Sequence, residues 1–284
     1  MIKKKFLENI VNPIIKKLLH KYAKYYSLEK NYDQLVVYSY DTVSAEINLD
    51  GIYEKDFLFF FKKFLSEKKY NIQNKAALDI GAFIGNHSIF FSKIFSEVLS
   101  FEPHPISYEI LKINCRNFKN IKMFNFACSD ENKDSYLRLK HTNIGGSSIS
   151  KGNHARDHSI KLLKLDDFLK DNIIEIGLIK IDAEGHEENV INGCIELLKK
   201  NKPIIIMELK NFHNESEPNV VKKLKSLGYR KFFEVERSLI FNANKNSLFL
   251  SLLDRLINLF YKNPIQMKEI KFFKKKEYQN IIII

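Results

Sequence analysis

Short apolar runs alternate with amphipathic segments along most of this 284-residue chain, from Ala76 to its end. A run of about four to eight apolar residues is typical of a buried strand, and apolar residues at helical spacing are typical of a helix packed beside it. We predict strands at 76–81, 97–102, 121–127, 176–182, 203–209, 229–236 and 279–284. We predict helices at about 86–95, 105–117, 187–200 and 218–227. The alternation predicts an α/β fold with βαβ units on a mostly parallel sheet.

Two further segments interrupt this pattern. If the last strand pairs with strand 229–236, the basic and apolar residues of about 238–277 form an insertion in one hairpin. A Gly/Ser-rich run, 141–152, lies between two strand-like runs, 134–140 and 159–165. Loops of this composition are often mobile and often cover a ligand.

The first part of the chain has a helical pattern of its own. Apolar residues recur at helical spacing from Ile10 to Tyr22, among several lysines. We therefore predict residues 1–45 to be a basic, amphipathic helical extension. Residues 46–284 then form the main domain, which includes the insertion.

The net charge of +12 is concentrated at the two ends of the chain. Residues 1–30 carry +6 and residues 245–284 carry +5, so the body between them is nearly neutral. This distribution disfavours nucleic acid as a partner and favours peripheral contact with an anionic surface. The basic amphipathic ends either lie in an anionic membrane interface or pack on the domain or on a second subunit as a homodimer. The sequence slightly favours packing of these ends on the domain or on a second subunit.

Cysteine usage and hydropathy bear on the cellular location. Cys115, Cys128 and Cys194 are widely spaced and odd in number, which is typical of reduced thiols and gives no zinc pattern. No apolar stretch reaches the length of a membrane span. We predict a cytoplasmic protein, with peripheral contact at the inner face of the membrane as a further possibility.

A glycine turn between a buried strand and a helix is the strongest chemical signal. Gly81 and Gly85 flank this turn, which contains Ala82, and the helix begins near Asn86. Glycines at such a turn let the backbone approach a ligand at a helix N-terminus. A turn that only packs the helix on the strand is the alternative.

Two acidic residues narrow the choice of ligand. Glu102 ends the second strand, 23 residues after Asp79, where an acid can accept both hydroxyls of a ribose. The sequence lacks the three-glycine dinucleotide fingerprint and the P-loop lysine, which disfavours NAD and ATP. Asp79 precedes the first glycine and suits a ligand with an amino-acid end, because a carboxylate or its bound water can take an ammonium group. S-adenosylmethionine has such an end.

A second constellation closes the fourth strand, where parallel sheets bind their ligands. Lys180 and Asp182 share one face of that strand because side chains alternate along it. A lysine in a buried strand is costly unless a carboxylate neutralises it, so we expect a charge-paired Lys180 at the floor of the site. A purely structural ion pair is the alternative.

Four sequence blocks together resemble the FkbM family of S-adenosylmethionine-dependent methyltransferases. The blocks are LDIGAFIGNHS at 78–88, FEPHP at 101–105, KIDAEGHE at 180–187 and PIIIMEL at 203–209. The resemblance covers roughly residues 46–237 and 279–284, and the long insertion departs from it. It implies a class I methyltransferase fold, which is a Rossmann-like, seven-stranded sheet, mostly parallel with an antiparallel last strand and with helices on both faces.

The resemblance also implies roles for individual residues. Asp79, Gly81, Ala82 and Gly85, with Asn86 at the helix start, match the block that cradles the methionine part of the donor. Glu102 matches the acid that binds ribose. Asp130 lies where such folds contact adenine and could accept its amine, although an Asp after a strand is also an ordinary turn former.

Methyl transfer to a hydroxyl requires alignment of donor and acceptor and removal of one proton. Asp182, also at the donor site, is the best-placed base, and Lys180 could lower the pKa of a nearby hydroxyl or steady the carboxylate. His104 and His186 are alternative bases, although a capping or solvated histidine is the more common case. Glu208 could hold a divalent cation together with Asp182 and Glu184, but we expect no metal requirement.

The resemblance implies O-methylation, often of sugar hydroxyls. We therefore predict an S-adenosylmethionine-dependent O-methyltransferase that acts on a hydroxyl of a sugar, glycan or related small-molecule precursor. An RNA or protein methyltransferase is one alternative, which the nearly neutral body disfavours. A catalytically inactive nucleoside-binding or scaffold protein of the same fold is the other, which the intact glycine turn and acids disfavour.

Overall fold

The computed structural model of the protein describes residues 5, 7–25, 32–39, 41–138, 144–150, 157–171, 174–209, 217–237, 265–274 and 276–284. Most of the predicted insertion, at 238–264 and 275, lies outside the described residues. So do both ends of the Gly/Ser-rich run and parts of the predicted N-terminal extension.

The helices follow the amphipathic segments of the sequence. In chain order they are α1 Asn12–Lys24, α2 Thr42–Asp50, α3 Lys55–Glu67, α4 Asn86–Ser92, α5 Pro105–Cys115, α6 Leu165–Phe168, α7 Glu187–Asn192, α8 Ile195–Asn201 and α9 Asn219–Ser226. A π-helical turn, Leu7–Val11, precedes α1, and a 3₁₀ turn spans Ile144–Gly146. None of the described helices is long and apolar enough to cross a membrane.

The strands form two sheets. They are β1 Ala76–Ile80, β2 Glu97–Phe101, β3 Ile121–Phe124, β4 Ala127–Cys128, β5 Lys133–Arg138, β6 Ser148–Ser150, β7 Asp157–Leu163, β8 Ile176–Ile181, β9 Ile204–Leu209, β10 Phe232–Arg237, β11 Ile265–Glu269 and β12 Tyr278–Ile283. The main sheet has the order β11-β10-β12-β9-β8-β1-β2-β3, and the second has the order β4-β7-β5-β6.

The main sheet confirms the predicted class of fold. Strands β3, β2, β1, β8 and β9 pair in parallel, and β12 inserts antiparallel between β9 and β10. The last strand therefore pairs with the strand before the insertion, which is the condition on which the predicted insertion rested. Strands β1 and β8 are buried along their whole length, as expected for a parallel sheet covered on both faces.

One strand of the main sheet was missed. The described sheet has eight strands and not seven, because β11 lies inside the stretch predicted as an insertion and pairs antiparallel with β10. Its first four residues alternate apolar and polar, with Ile265 and Met267 half-buried. The lysine-rich sequence around β11 hides this short alternation.

The second sheet corrects another expectation. The predicted third strand, 121–127, breaks after Phe124, and β4 belongs to the small sheet instead of the main one. The two strand-like runs around the Gly/Ser-rich loop become β5 and β7, which pair antiparallel. Each has only one apolar face, which packs into a small separate core of Ala127, Leu137, Ile160 and Leu162.

The predicted helix 187–200 is divided into α7 and α8 at Gly193. Asp166, on α6, accepts hydrogen bonds from the backbone N–H groups of Glu196 and Leu197, at 2.9 and 2.8 Å. This carboxylate caps the first turn of α8 and so favours a new helix start there. A cap supplied by a residue about 30 positions earlier leaves no local sequence signal.

Apolar side chains fill both faces of the main sheet, as predicted. Leu78 and Ile80 of β1 belong to one buried cluster, together with side chains of α7, α8 and α9. Ala77 points to the other cluster, which contains side chains of α3, α4 and α5. The sheet is therefore the middle layer between two layers of helices.

The N-terminal region contains the predicted amphipathic helix as α1. Helix α2 crosses the predicted boundary at 45/46, and its Thr42 and Val43 line a cavity of the main domain. The boundary between extension and domain stays a prediction.

We expect Gly193→Ala to destabilise the protein by about 2 kcal/mol, because an added methyl group has no room. Its Cβ would lie 1.8 Å from the carbonyl oxygen of Ser129, a backbone atom that cannot move aside easily. Gly145→Ala is the matched control, since its Cβ would have its nearest contacts at 3.8 Å. Urea unfolding of both variants measures the effect, and equal stabilities would contradict the tight packing of α7 and α8 against the Ser129 loop.

Candidate functional site

A cavity of about 190 Å³ lies where the carboxyl ends of β1, β2 and β8 meet. Ligands of open α/β sheets bind at this edge. The predicted site residues that line it are Gly81, Ala82, Asn86, Glu102, His104, Lys180, Asp182 and His186. Asp79, Gly85 and Asp130 are not among the lining residues. We call this the first cavity.

The two glycines of the turn are required by neighbouring protein atoms. Gly81 has φ +77°, and a Cβ there would lie 2.0 Å from the carbonyl oxygen of Asp182. Gly85 has φ +95°, and a Cβ there would press on Leu111 and Cys115 of α5. The sequence-based reason, close approach of a ligand, is therefore incomplete. Gly81 brings the loops after β1 and β8 together, and Gly85 lets α5 pack against the start of α4.

Asp79 lies beneath the first cavity in a chain of buried polar groups. Ser100 donates to Ser88 over 2.8 Å, and Ser88 donates to Asp79 Oδ2 over 2.6 Å. The other oxygen, Oδ1, has no hydrogen-bond partner among the described residues but lies 3.5 Å from Lys180 Nζ. In this structure the carboxylate contacts protein groups, and its predicted contact with the donor stays a prediction.

Lys180 is the buried cation at the floor of the site. Its Nζ lies 3.5 Å from carboxylate oxygens of Asp79 and Asp182, and donates to the carbonyl oxygen of Gly81 over 3.2 Å. Burial lowers the pKa of a lysine, but Asp182, Asp79 and Glu54 outweigh burial and raise the pKa of Lys180 above its usual value. The lysine therefore stays charged. The predicted charge pairing is present.

Glu102 lies buried in the wall of the first cavity. Its two oxygens accept backbone N–H groups from Phe83 and His104, each over 2.7 Å. Burial raises the pKa of Glu102 to about 7, although these hydrogen bonds oppose the shift. Each carboxylate oxygen has a second lone pair, so the group keeps the capacity to accept hydroxyls of a ligand.

The two candidate histidines both line the first cavity and both have structural contacts. His104 caps α5, because its Nδ1 accepts the backbone N–H of Ser107 over 3.0 Å, which leaves the proton of the neutral ring on Nε2. Burial and nearby His158 lower the pKa of His104. His186 Nε2 is hydrogen-bonded to Ser129 over 2.9 Å, and burial lowers its pKa as well. The lowered pKa values favour neutral rings.

The predicted adenine region is only partly at the first cavity. Ala127 and Cys128 line it, as does the neighbouring Phe126. Asp130 instead accepts hydrogen bonds from Asn189 over 2.9 Å and Ser129 over 3.2 Å. The adenine contact of Asp130 stays a prediction.

The described part of the Gly/Ser-rich run, 144–150, also borders the first cavity. Ile144, Gly145, Ser147 and Ile149 are among its lining residues. The described part of the run therefore lies beside the cavity, and its covering of a ligand stays a prediction.

A second cavity, of about 270 Å³, shares a wall with the first. The residues that line both cavities are Tyr53, Lys180, Asp182 and Glu208, and we call them the common wall. Glu46, Glu54 and Asn280 line only the second, as do four residues of β8, β9 and the start of β12. With four carboxylates and one ammonium group among its lining side chains, the second cavity has a negative potential.

Several residues of the second cavity were not singled out from the sequence. Glu54 contacts His87 Nε2 over 3.0 Å and accepts from Asn280 over 2.8 Å. Burial would raise the pKa of Glu54, but these contacts and the Lys180 charge lower it below its usual value. Asn86 exchanges two hydrogen bonds with the backbone of Tyr53, at 3.0 and 3.1 Å. The family resemblance, which begins at about residue 46, covered Tyr53 and Glu54 but gave them no role.

Asp182, Glu184 and Glu208 are half-buried, and each has a carboxylate oxygen within 4.8 Å of the others. Oxygen ligands of this kind suit Mg²⁺ or Ca²⁺. Clusters of acidic residues also occur without an ion, so the expectation that no metal is required stays a prediction. Glu184 has φ +50°, an unusual backbone conformation for a residue other than glycine, and such strain is found at functional sites.

Comparison with protein families identifies the domain. The model described as "Methyltransferase FkbM domain" matches residues 79–231, more than half of the chain. Comparison with curated proteins gives no significant match.

Several solved structures are similar to the chain. The methyltransferase FkbM of Methylobacillus flagellatus KT has 18% identity and a TM-score of 0.40, over 58% of this chain and 40% of that chain. The METTL16 methyltransferase domain has 13% identity and a TM-score of 0.45, over 75% of this chain and 71% of that chain. Aeropyrum pernix fibrillarin, with natively bound S-adenosyl-L-methionine, has 11% identity and a TM-score of 0.34, over 56% and 59%. The chain thus spans less than half the length of the Methylobacillus protein.

We expect Lys180→Met to lower the free energy of unfolding by about 3 kcal/mol or more, because the buried charge of Asp79 then has no cation nearby. Adding Asp79→Asn to Lys180→Met should restore part of that stability, since the buried negative charge of Asp79 is then removed. Lys199→Met, at an exposed pair with Glu196, is the control and should change stability by less than about 0.5 kcal/mol. Urea unfolding of the three variants and the wild type measures these changes, and a Lys180→Met variant no less stable than Lys199→Met would contradict the account.

Proposed function

Because the chain belongs to the FkbM family of S-adenosylmethionine-dependent methyltransferases, we propose that it methylates a hydroxyl of a sugar, glycan or related small molecule. The observation that carries this proposal is the position of Asp182. It lies beside the charged Lys180 and lines both cavities. A group in the common wall can act on a donor in one cavity and an acceptor in the other.

The residues of the first cavity fit the methyl donor. Glu102 would accept the ribose hydroxyls, and Phe126, Ala127 and Cys128 offer an apolar surface for adenine. Glu184 lines the same cavity and provides negative charge for an ammonium group. When bound, S-adenosylmethionine supplies an electrophilic methyl group on a positively charged sulfur.

The second cavity suits an acceptor rich in hydroxyls. Carboxylates can only accept hydrogen bonds when ionised, and hydroxyls of a sugar are donors. Glu46, Glu54 and Glu208 line this cavity together with Asn280, whose amide group both donates and accepts. The same negative charge repels phosphates, which disfavours RNA as the acceptor.

The chain's own residues have two tasks during transfer. The first is to hold the acceptor hydroxyl at the common wall, where Tyr53 and Glu208 also line both cavities. The second is to remove its proton, which we assign to the Asp182 carboxylate. Lys180 stays protonated beside Asp182 and keeps the carboxylate fixed against the Gly81 turn.

The direct test is incubation with a deuterated methyl donor and a panel of acceptors, with products detected by mass spectrometry. We expect O-methylation of neutral glycosides and no methylation of short RNA. Asp182→Asn, which is nearly isosteric, should lower turnover about 100-fold or more while leaving donor affinity within about twofold. Asp171→Asn, an exposed aspartate away from both cavities, is the control and should retain full activity.

Full activity of Asp182→Asn would assign the base to another residue. In that case His104→Gln and His186→Gln decide between the two histidines of the first cavity. Transfer of the label to RNA and to none of the glycosides would refute the proposed acceptor class.

Donor affinity should rise with pH through Glu102. Burial raises the pKa of this carboxyl to about 7 in the free protein, and the ionised form is the stronger acceptor for ribose hydroxyls. The ionised fraction grows from about one tenth at pH 6 to about nine tenths at pH 8, so affinity should increase by up to about tenfold. Glu102→Gln should bind more weakly and lose this increase.

Calorimetric titration with S-adenosylhomocysteine at the two pH values measures the effect. The ligand's own amino group titrates equally in both proteins, so only the difference between them reports on Glu102. Identical pH profiles for wild type and Glu102→Gln would contradict a ribose contact.

A further inference from the structure

Helix α1 presents an apolar face that the rest of the described chain leaves uncovered. Ile14, Ile15, Leu18 and Leu19 are between 42% and 56% exposed, and Ile10, in the turn before the helix, is 50% exposed. Scattered exposed apolar residues are normal, but these five lie together along one short stretch. Such a contiguous patch is typical of an interaction surface.

The rest of α1 is strongly basic. Lys16, Lys17, Lys21 and Lys24 are all exposed, and the helix contains no acidic residue. At 100° per residue the four apolar side chains share one half of the helix, and Lys16, Lys17 and Lys24 lie on the other. Lys21 lies at the border between the two halves. A helix with apolar residues on one half and lysines on the other half and at the border complements an anionic lipid surface.

Helix α1 also lies close to the site. It lies beside α2, whose Thr42 and Val43 line the first cavity and whose Glu46 lines the second. A surface that held α1 would therefore lie near the rim of both cavities. An acceptor carried by that surface would be close to the common wall.

We propose that α1 binds the surface of an anionic membrane, with its apolar face among the acyl chains and its lysines at the headgroups. Binding then has two components. One is the burial of the apolar face among the acyl chains, and the other is the attraction between the lysines and the anionic headgroups. A second copy of this chain is the competing occupant. It would offer the same surplus of lysines, so two α1 helices would repel each other.

Co-sedimentation of the full chain with vesicles tests the proposal. We expect binding to vesicles of phosphatidylcholine with one quarter phosphatidylglycerol, and little binding to phosphatidylcholine alone. Raising the salt concentration from 0.1 to 0.5 M should weaken the binding about tenfold or more, since each lysine near an anionic surface contributes about a fivefold factor at low salt.

Paired variants separate the two components. Ile14→Ser with Leu18→Ser removes apolar surface, and its control is Ile106→Ser with Ile113→Ser, two equally exposed isoleucines of α5. We expect the first pair to weaken binding at least tenfold and the control pair to leave it within about twofold.

The charge component has its own pair of variants. Lys17→Glu with Lys21→Glu reverses two charges of α1, and Lys199→Glu with Lys200→Glu reverses two exposed charges of α8. Only the substitutions in α1 should weaken binding to the anionic vesicles by tenfold or more. None of these residues lines either cavity, so methyl transfer to a soluble acceptor should continue in all four variants.

Three outcomes would overturn the proposal. The first is no sedimentation with either vesicle, and the second is equal loss of binding in the α1 variants and their controls. The third is a dimer in sedimentation equilibrium that Ile14→Ser with Leu18→Ser dissociates, without vesicle binding, which would assign the face to a second copy.

Discussion

The buried charge of Lys180 is the interaction on which the site depends. A lysine inside a fully buried strand loses nearly all of its hydration, and only opposite charges close by make this tolerable. Asp79 on the neighbouring strand and Asp182 at the strand end supply them. Because these three groups belong to adjacent strands and one loop, the ion pairs connect β1 and β8 at the edge where they end.

The pairing of Lys180 also involves the loops that follow β1 and β8, which lie in contact. Gly81 offers its carbonyl oxygen to Lys180, and its missing side chain leaves room for the backbone of Asp182. A side chain at position 81 would separate the loops and move Asp182 away from the ammonium group. The common wall between the two cavities thus follows from one lysine and one glycine. The chemistry that we propose for Asp182 depends on that wall.

Much of this arrangement could be predicted from the sequence, because its signals are local. The alternation of apolar runs and amphipathic segments indicated the parallel sheet, and the glycine turn, Glu102, Lys180 and Asp182 each follow or end a strand. Contacts between distant parts of the chain left no such signal. Asp166 caps α8 from about 30 residues away, and Glu54 accepts a hydrogen bond from Asn280, 226 residues later in the chain. The second sheet was missed for a related reason, since alternating strands do not reveal which sheet they join.

The most direct test of the account is a crystal structure of the protein with S-adenosylhomocysteine. We expect the ribose hydroxyls within hydrogen-bonding distance of Glu102 and the sulfur in the part of the first cavity bounded by Asp182, facing the second cavity. A sulfur that faces away from Asp182, or a ligand bound outside the first cavity, would contradict the claim that the common wall is the place of methyl transfer.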